Sequence, residues 1–268
     1  MALRFAAVNV FFASGRSSRY RLRVSSRAPK FRAKAMSAPA STDTPAEALA
    51  TLRARLDAVD TGIHRLLRER FEIVEAIGAE KGSDGPVIRP AREAAVIENR
   101  LALHKGSLPP VMLAHIWRVL ISAACAVQRP FSVHTSGALA AALFLYGPVP
   151  VHHHPNARDA VRALGDGDIA VVPEASAWVE GLGLPEDGAG PAGVDEAPHV
   201  IARVTLSGGS AVVVIAGAKV SHGAGPEAAV LRDGAAHFIS ASDIVADDTV
   251  LGRYHPFPVE IPAFETSS

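Results

Sequence analysis

LRARLDAVDTGIHRLLRERFEIVEAIGAEK, residues 52–81, decides how this chain folds. Leu52, Leu56, Val59, Ile63, Leu66, Ile73 and Ile77 recur at the 3.6-residue helical period. No proline falls between Ala46 and Gly85, and Gly62 and Gly78 are tolerable inside a helix. The spacing predicts one helix of about 35 residues, well beyond the usual globular length. A helix that long with one apolar stripe points to a bundle or to an intertwined dimer.

Outward from this stretch, Gly82, Gly85 and Pro86 end the helix, and Pro90 suits the first turn of a second one. That helix carries Val96, Ile97 and Leu101 inward. After Gly106, Pro109 and Pro110, a third helix places Leu113, Ile116, Leu120, Ala124 and Gln128 on one stripe and closes at Pro130. Residues 43–130 therefore read as an all-α domain of three helices. Residues 131–268 change character: Gly, Ala, Val and Pro dominate, with short β-branched runs. Val149–His152, Asp168–Val172, His199–Leu206 and Ala211–Ile215 read as strands and Ala157–Leu164 as a helix. The last two strands would pair across Ser207-Gly208-Gly209. The fold class is α+β overall, with a small C-terminal α/β domain.

Formal net charge is zero over 268 residues, but residues 1–42 hold nine Lys and Arg and no acid. The rest carries a net charge of −9, which argues against a nucleic-acid partner. The basic, Ser- and Ala-rich start reads either as a misassigned start before Met36 or as an organelle-targeting segment, so residues 1–42 are set apart from the fold. The expected location is cytoplasmic, or an organelle if that segment is real. The longest uninterrupted apolar run, Ala138 to Tyr146, is too short to span a bilayer, so no membrane association is expected. Cys125 is the sole cysteine, which excludes an intrachain disulfide, and reads as a small buried side chain.

Arg70 and Lys81 are eleven residues apart, so on a helix they point within about 20° of each other, ~16 Å apart along the axis. Two such cations beside an apolar stripe would leave a gap suited to a small dianion. Alternatively they snorkel to solvent or pair with Glu72 or Glu80. Gln128, at the end of an apolar stripe, is either a buried amide needing partners or a solvated helix end. Arg92 and Glu93 fall in the first turn of the second helix, where Glu93 also favours the helix dipole. Arg53, seventeen residues before Arg70, points about 100° away and lies ~25 Å off, so it does not easily reach the same ligand within one straight helix.

The stretch quoted above, followed by PVIRPAREAAVIENRL (86–101) and IWRVLISAACAVQ (116–128), resembles the all-helical class of chorismate mutases. The resemblance covers Leu52 to Gln128. It implies an intertwined homodimer that rearranges chorismate to prephenate with no cofactor and no metal. It also implies roles: Arg70, with Arg53 of the partner subunit, for the two carboxylates; Lys81 and Gln128 for the ether oxygen; Glu93 for the ring hydroxyl; Arg92 for further positive potential. Arg89 stands where the family often has Asp, and Ala124 where it often has Ser, which bears on substrate affinity. An isochorismate pyruvate-lyase shares this scaffold, and a non-catalytic sensor of aromatic metabolites is the alternative from another class.

In the C-terminal region, NARDAVRALGDGDIAVVPEAS (156–176) resembles the helix–strand–Pro-Glu segment of prephenate dehydratases. The Thr-Arg-Phe signature is absent; Ile201-Ala202-Arg203-Val204 is the nearest stretch. The region thus reads as a degenerate, non-dehydratase module. His152, His153 and His154 invite a metal, with Asp159 as a fourth group, but adjacent residues on a strand alternate faces, so a solvated strand end before Pro155 is expected.

Overall fold

The computed structural model describes residues 44–81, 86–184, 198–221, 223 and 225–263. The basic extension and the glycines expected to end the first helix lie outside the described residues.

Helix α1 spans Pro45–Lys81, 37 residues in all. Thr44 and Glu47 cap its start reciprocally: the Thr44 N–H donates to Glu47 Oε2 (2.8 Å) and the Glu47 N–H to Thr44 Oγ1 (3.4 Å). α2 runs Pro90–Leu103 and α3 Pro110–Gln128, each with proline in its first turn. α1 packs on α3 through one short face, and Val74 is its one buried residue. The stripe from Leu52 to Ile77 faces out, with its seven side chains 43–59% exposed.

The expected stripe on α3 is corrected. The face it buries within the chain is Ala114, Arg118, Ile121, Ser122, Ala124 and Cys125, while Ile116 is exposed. Small side chains let other elements approach closely there, and a charge is tolerated because it is paired. α3 also overturns the expectation about apolar length. Among the described residues it is the one helix long and apolar enough, by length and composition, to cross a membrane. The run Ala138–Tyr146 instead supplies a short core helix.

Beyond Pro130 come β1 (Val133–Thr135), α4 (Leu139–Tyr146), β2 (Val151–His153), α5 (Ala157–Arg162), β3 (Ile169–Pro173), β4 (His199–Thr205) and β5 (Ala211–Ala216). They form a five-stranded sheet ordered β2-β1-β3-β5-β4. β1, β2 and β3 run parallel, and β5 pairs antiparallel with both β3 and β4. The expected β4–β5 hairpin is present, turning on Gly208 and Gly209, both at positive φ. A second sheet, missed in the sequence, is built from β6 (Glu227–Arg232), β7 (Ala235–Ser240) and β8 (Thr249–Tyr254) in the order β7-β6-β8.

The five-stranded sheet separates two cores. Ile169 and Val171 of β3, with Val212, Val214 and Ala216 of β5, face α4 and the helical region, joining Ile88, Ile97, Ala114, Ile121 and Cys125. Ala170, Val172, Val213 and Ile215 face the other way, onto α5, Trp178 and the second sheet. This is the period-two alternation of a strand buried on both faces. The first core crosses Pro130 without a break, so the helical and sheet regions are packed as one body. On the far side, Gly252 of β8 passes so close to β4 that an added Cβ would lie 2.1 Å from the Val200 carbonyl oxygen.

Candidate active site

The C-terminal half of α1 meets α3 and the start of α2 in a cluster of ionisable groups. Arg70 donates from Nη1 to the Leu120 carbonyl (3.2 Å) and lies over the Phe71 ring (5.6 Å). Burial depresses its pKa. Two turns on, Gly78 brings the α1 backbone against Gln128: a Cβ at that glycine would sit 3.2 Å from Gln128 Cγ. Cys125 lies among these groups. Burial, then the Glu93 carboxylate, push its thiol up to about 12, opposed by Arg118, Lys81 and Arg70. The thiol is therefore neutral and inert, as the sequence reading had it. Lys81 ends α1 with its side chain exposed.

Arg70, Lys81, Gln128 and Glu93 are thus brought together by one chain. Arg92 and Arg89 are exposed at the start of α2, and Arg89 Nε donates to the Pro86 carbonyl (3.2 Å). Arg53 is exposed far along α1 and does not join them. Among the described residues, Arg70 and Lys81 form no ion pair with Glu72 or Glu80; Glu72 instead reaches Arg68 (3.9 Å).

Glu93 is the most constrained member. It is buried, its Oε2 is 2.6 Å from Arg118 Nη1, and its Oε1 accepts from the Arg89 N–H (3.1 Å). Arg118 was missed in the sequence. A lone arginine on an apolar helix resembles a surface residue. The available signal was that no apolar stripe on α3 could be drawn through Ala114, Ile121 and Cys125 without including it.

In the C-terminal region, the exposed strand end that carries His152 and His153 also meets a histidine the sequence reading did not single out, His134. His152 and His154 are two apart and share a face; β1 places His134 in register with His152. The His134 ring stacks near both, with centroids 5.0 and 5.1 Å away, and its Nδ1 is 2.9 Å from His154 Nε2. His134 Nε2 faces Asp168 Oδ2 at 3.5 Å. Among the described residues no group of His, Cys, Asp and Glu has the geometry to hold a metal ion. A separate cleft of about 890 Å³ opens past the end of β3. In it Arg203 pairs with Glu174 (2.8 Å) and lies over Phe238 (5.3 Å to the ring centroid).

Comparison with known proteins finds a likeness confined to the helical region. Residues 52–129 match the family model "Chorismate mutase type II". A bifunctional chorismate mutase/prephenate dehydratase of Neisseria gonorrhoeae is 41% identical over 87 residues, 32% of this chain and 24% of that protein. The protein of the same name from Aquifex aeolicus is 36% identical over 92 residues, 32% of this chain and 25% of its own length. That from Stutzerimonas stutzeri is 31% identical over 94 residues, covering 33% and 26%. The chain thus spans about a quarter of the length of the curated relatives it matches. No solved structure matches.

Proposed function

We propose that residues 52–129, a domain of the chorismate mutase type II family, rearrange chorismate to prephenate in a homodimer whose sites are completed across the interface. The observation that carries this reading is the asymmetry of α1. Its C-terminal half assembles Arg70, Lys81 and Gln128 within the chain, while its apolar stripe and Arg53 are left exposed. A second copy, paired antiparallel along α1, would cover the stripe and bring Arg53 of the partner subunit to the waiting cations.

The chemistry fits those residues. In the substrate one C–O bond of an enol-pyruvyl ether breaks as a C–C bond forms, and no group is transferred. The work is to hold the compact conformer and to stabilise charge on the departing oxygen. Arg70 and Arg53 of the partner subunit would take the two carboxylates, by the bidentate geometry of guanidinium forks. Lys81 and Gln128 would donate to the ether oxygen. Glu93 would accept from the ring hydroxyl, with Arg92 and Arg89 adding positive potential at the entrance. The same reading puts the enzyme in the cytoplasm.

Loss of chorismate absorbance with prephenate as the only product tests the activity; release of pyruvate would mark the lyase instead. The shared site has its own test. Arg53→Ala and Arg70→Ala chains should each be nearly inactive alone. Unfolded together in equal amounts and refolded, random pairing restores roughly a quarter of wild-type activity, because each mixed dimer holds one intact site. No recovery despite confirmed chain exchange would place Arg53 outside the site.

A further inference from the structure

We propose that Arg118 is a positioning residue of this site, holding the Glu93 carboxylate in place and anchoring it to the C-terminal region. The inference rests on the mutase reading and adds a residue to it.

Arg118 is 8% exposed and touches two other elements, α2 and α4. Nη1 meets Glu93 Oε2 of α2 at 2.6 Å, Nε donates to the Leu145 carbonyl of α4 at 3.0 Å, and the guanidinium lies 5.0 Å from the Tyr146 ring centroid. It belongs to a row. His115 Nδ1 is 2.8 Å from the Phe144 carbonyl oxygen, and Ser122 Oγ donates to the Tyr146 carbonyl at 2.7 Å. Residues 115, 118 and 122 share one face of α3. Together they meet three successive carbonyls at the end of α4, where a helix runs out of its own donors. Arg118 is the member of that row whose other side reaches the helical site.

Stability alone does not call for this ion pair. An apolar pair of similar volume is often as stable, whereas removing one partner strands the other charge. What the pair achieves is a fixed carboxylate. Glu93 is clamped between Arg118 and the Arg89 N–H, yet a carboxylate has about four acceptor positions, so capacity remains for a substrate hydroxyl. The other groups around it cannot replace Arg118. The Cys125 thiol (3.9 Å) is held neutral by burial, Tyr146 is likewise pushed up and neutral, and Lys81 and Arg70 are spent on the substrate side.

The test uses the full-length chain. Wild type, Arg118→Met, Arg118→Lys and the double variant Glu93→Gln/Arg118→Met are compared for kcat, KM and thermal midpoint from pH 5.5 to 9. A carboxylate buried without its cation keeps its proton to higher pH. Arg118→Met should therefore raise KM more than it lowers kcat, and lose at least tenfold in kcat/KM between pH 8.5 and pH 6 beyond any wild-type change. The double variant, whose amide does not titrate, should lose that acid-side fall. Arg118→Lys keeps the charge but cannot serve both Glu93 and the Leu145 carbonyl, so it should show a flat profile with kcat/KM lowered about tenfold. If Arg118→Met does not fold, Arg118→Lys decides: wild-type kcat and KM would overturn the proposal. A folded Arg118→Met with the wild-type pH profile and KM would overturn it too. A wild-type chain that leaves chorismate untouched would instead sink the mutase reading, and this inference with it.

Discussion

α1 carries one apolar stripe and the central pair β3–β5 is apolar throughout, and the two dispose of their apolar groups in opposite ways. All of β5 and the first four residues of β3 are buried, with alternate side chains serving two cores. α1 buries a single residue, and its seven-residue stripe stands about half exposed. The sheet completes its burial with its own chain. The helix does not, and a contiguous apolar surface of that length is what an interaction site looks like. Periodicity reports that a face will be buried; it is silent about whose atoms will bury it.

The strongest way to break this contrast is to charge the stripe. On the proposed reading, Leu56→Asp with Ile63→Asp should abolish dimer formation and cut turnover more than a hundredfold, because the proposed interface and the Arg53 it would deliver are both lost. Light scattering after gel filtration, with turnover on the same fractions, checks it; an active, still dimeric double variant would show that the stripe is not the interface. A smaller effect comes from Ile215→Ala in β5. It should cost ~2–5 kcal/mol, as buried Ile truncations do. That loss should be the same at every protein concentration and leave the oligomeric state unchanged, so a concentration-dependent loss would blur the distinction between the two regions. The smallest effect is one of pH. Burial leads the depression of the His134, His153 and His154 pKa values below the ordinary ~6.5. The unfolded chain then binds protons that the folded one resists. Stability is full above about pH 6.5 and falls as pH drops toward the depressed folded values. A thermal midpoint lower by a few degrees at pH 5.5 than at pH 7.5 is expected, and His134→Gln should reduce the difference.

The parts of the fold that could be read from sequence are those specified locally. α1 declares itself through seven apolar residues at one period and an absence of proline. The β4–β5 hairpin is announced by Ser207-Gly208-Gly209 between two β-branched runs. Two of the three strands of the second sheet, EAAVLR and AAHFIS, were missed because they are alanine-rich and carry no clear period-two pattern; they become strands by packing against Trp178, Leu251 and Tyr254. β1 was missed because three residues carry no period. For the candidate site, Arg70, Lys81, Gln128 and Glu93, which α1, α2 and α3 bring near Cys125, were singled out by spacing and resemblance. Arg118 was not, because its meaning depends on Glu93, twenty-five positions earlier, and on the end of α4, which follows it. His134 was hidden for the same reason: only the β1–β2 register brings it to His152 and His154.

The exposed stripe of α1 also has a consequence in time. The β3–β5 core closes by first-order steps within one molecule, so dilution does not slow it. If a second copy covers α1, its protection is a second-order event. Specific protein pairs associate at roughly 10⁵–10⁷ M⁻¹ s⁻¹, so at about 1 μM chain the wait for a partner is ~0.1–10 s. For that interval each new molecule carries a finished sheet and an unfinished helix. Its abundance at synthesis, rather than its stability, then sets how long the stripe is open to the wrong contact.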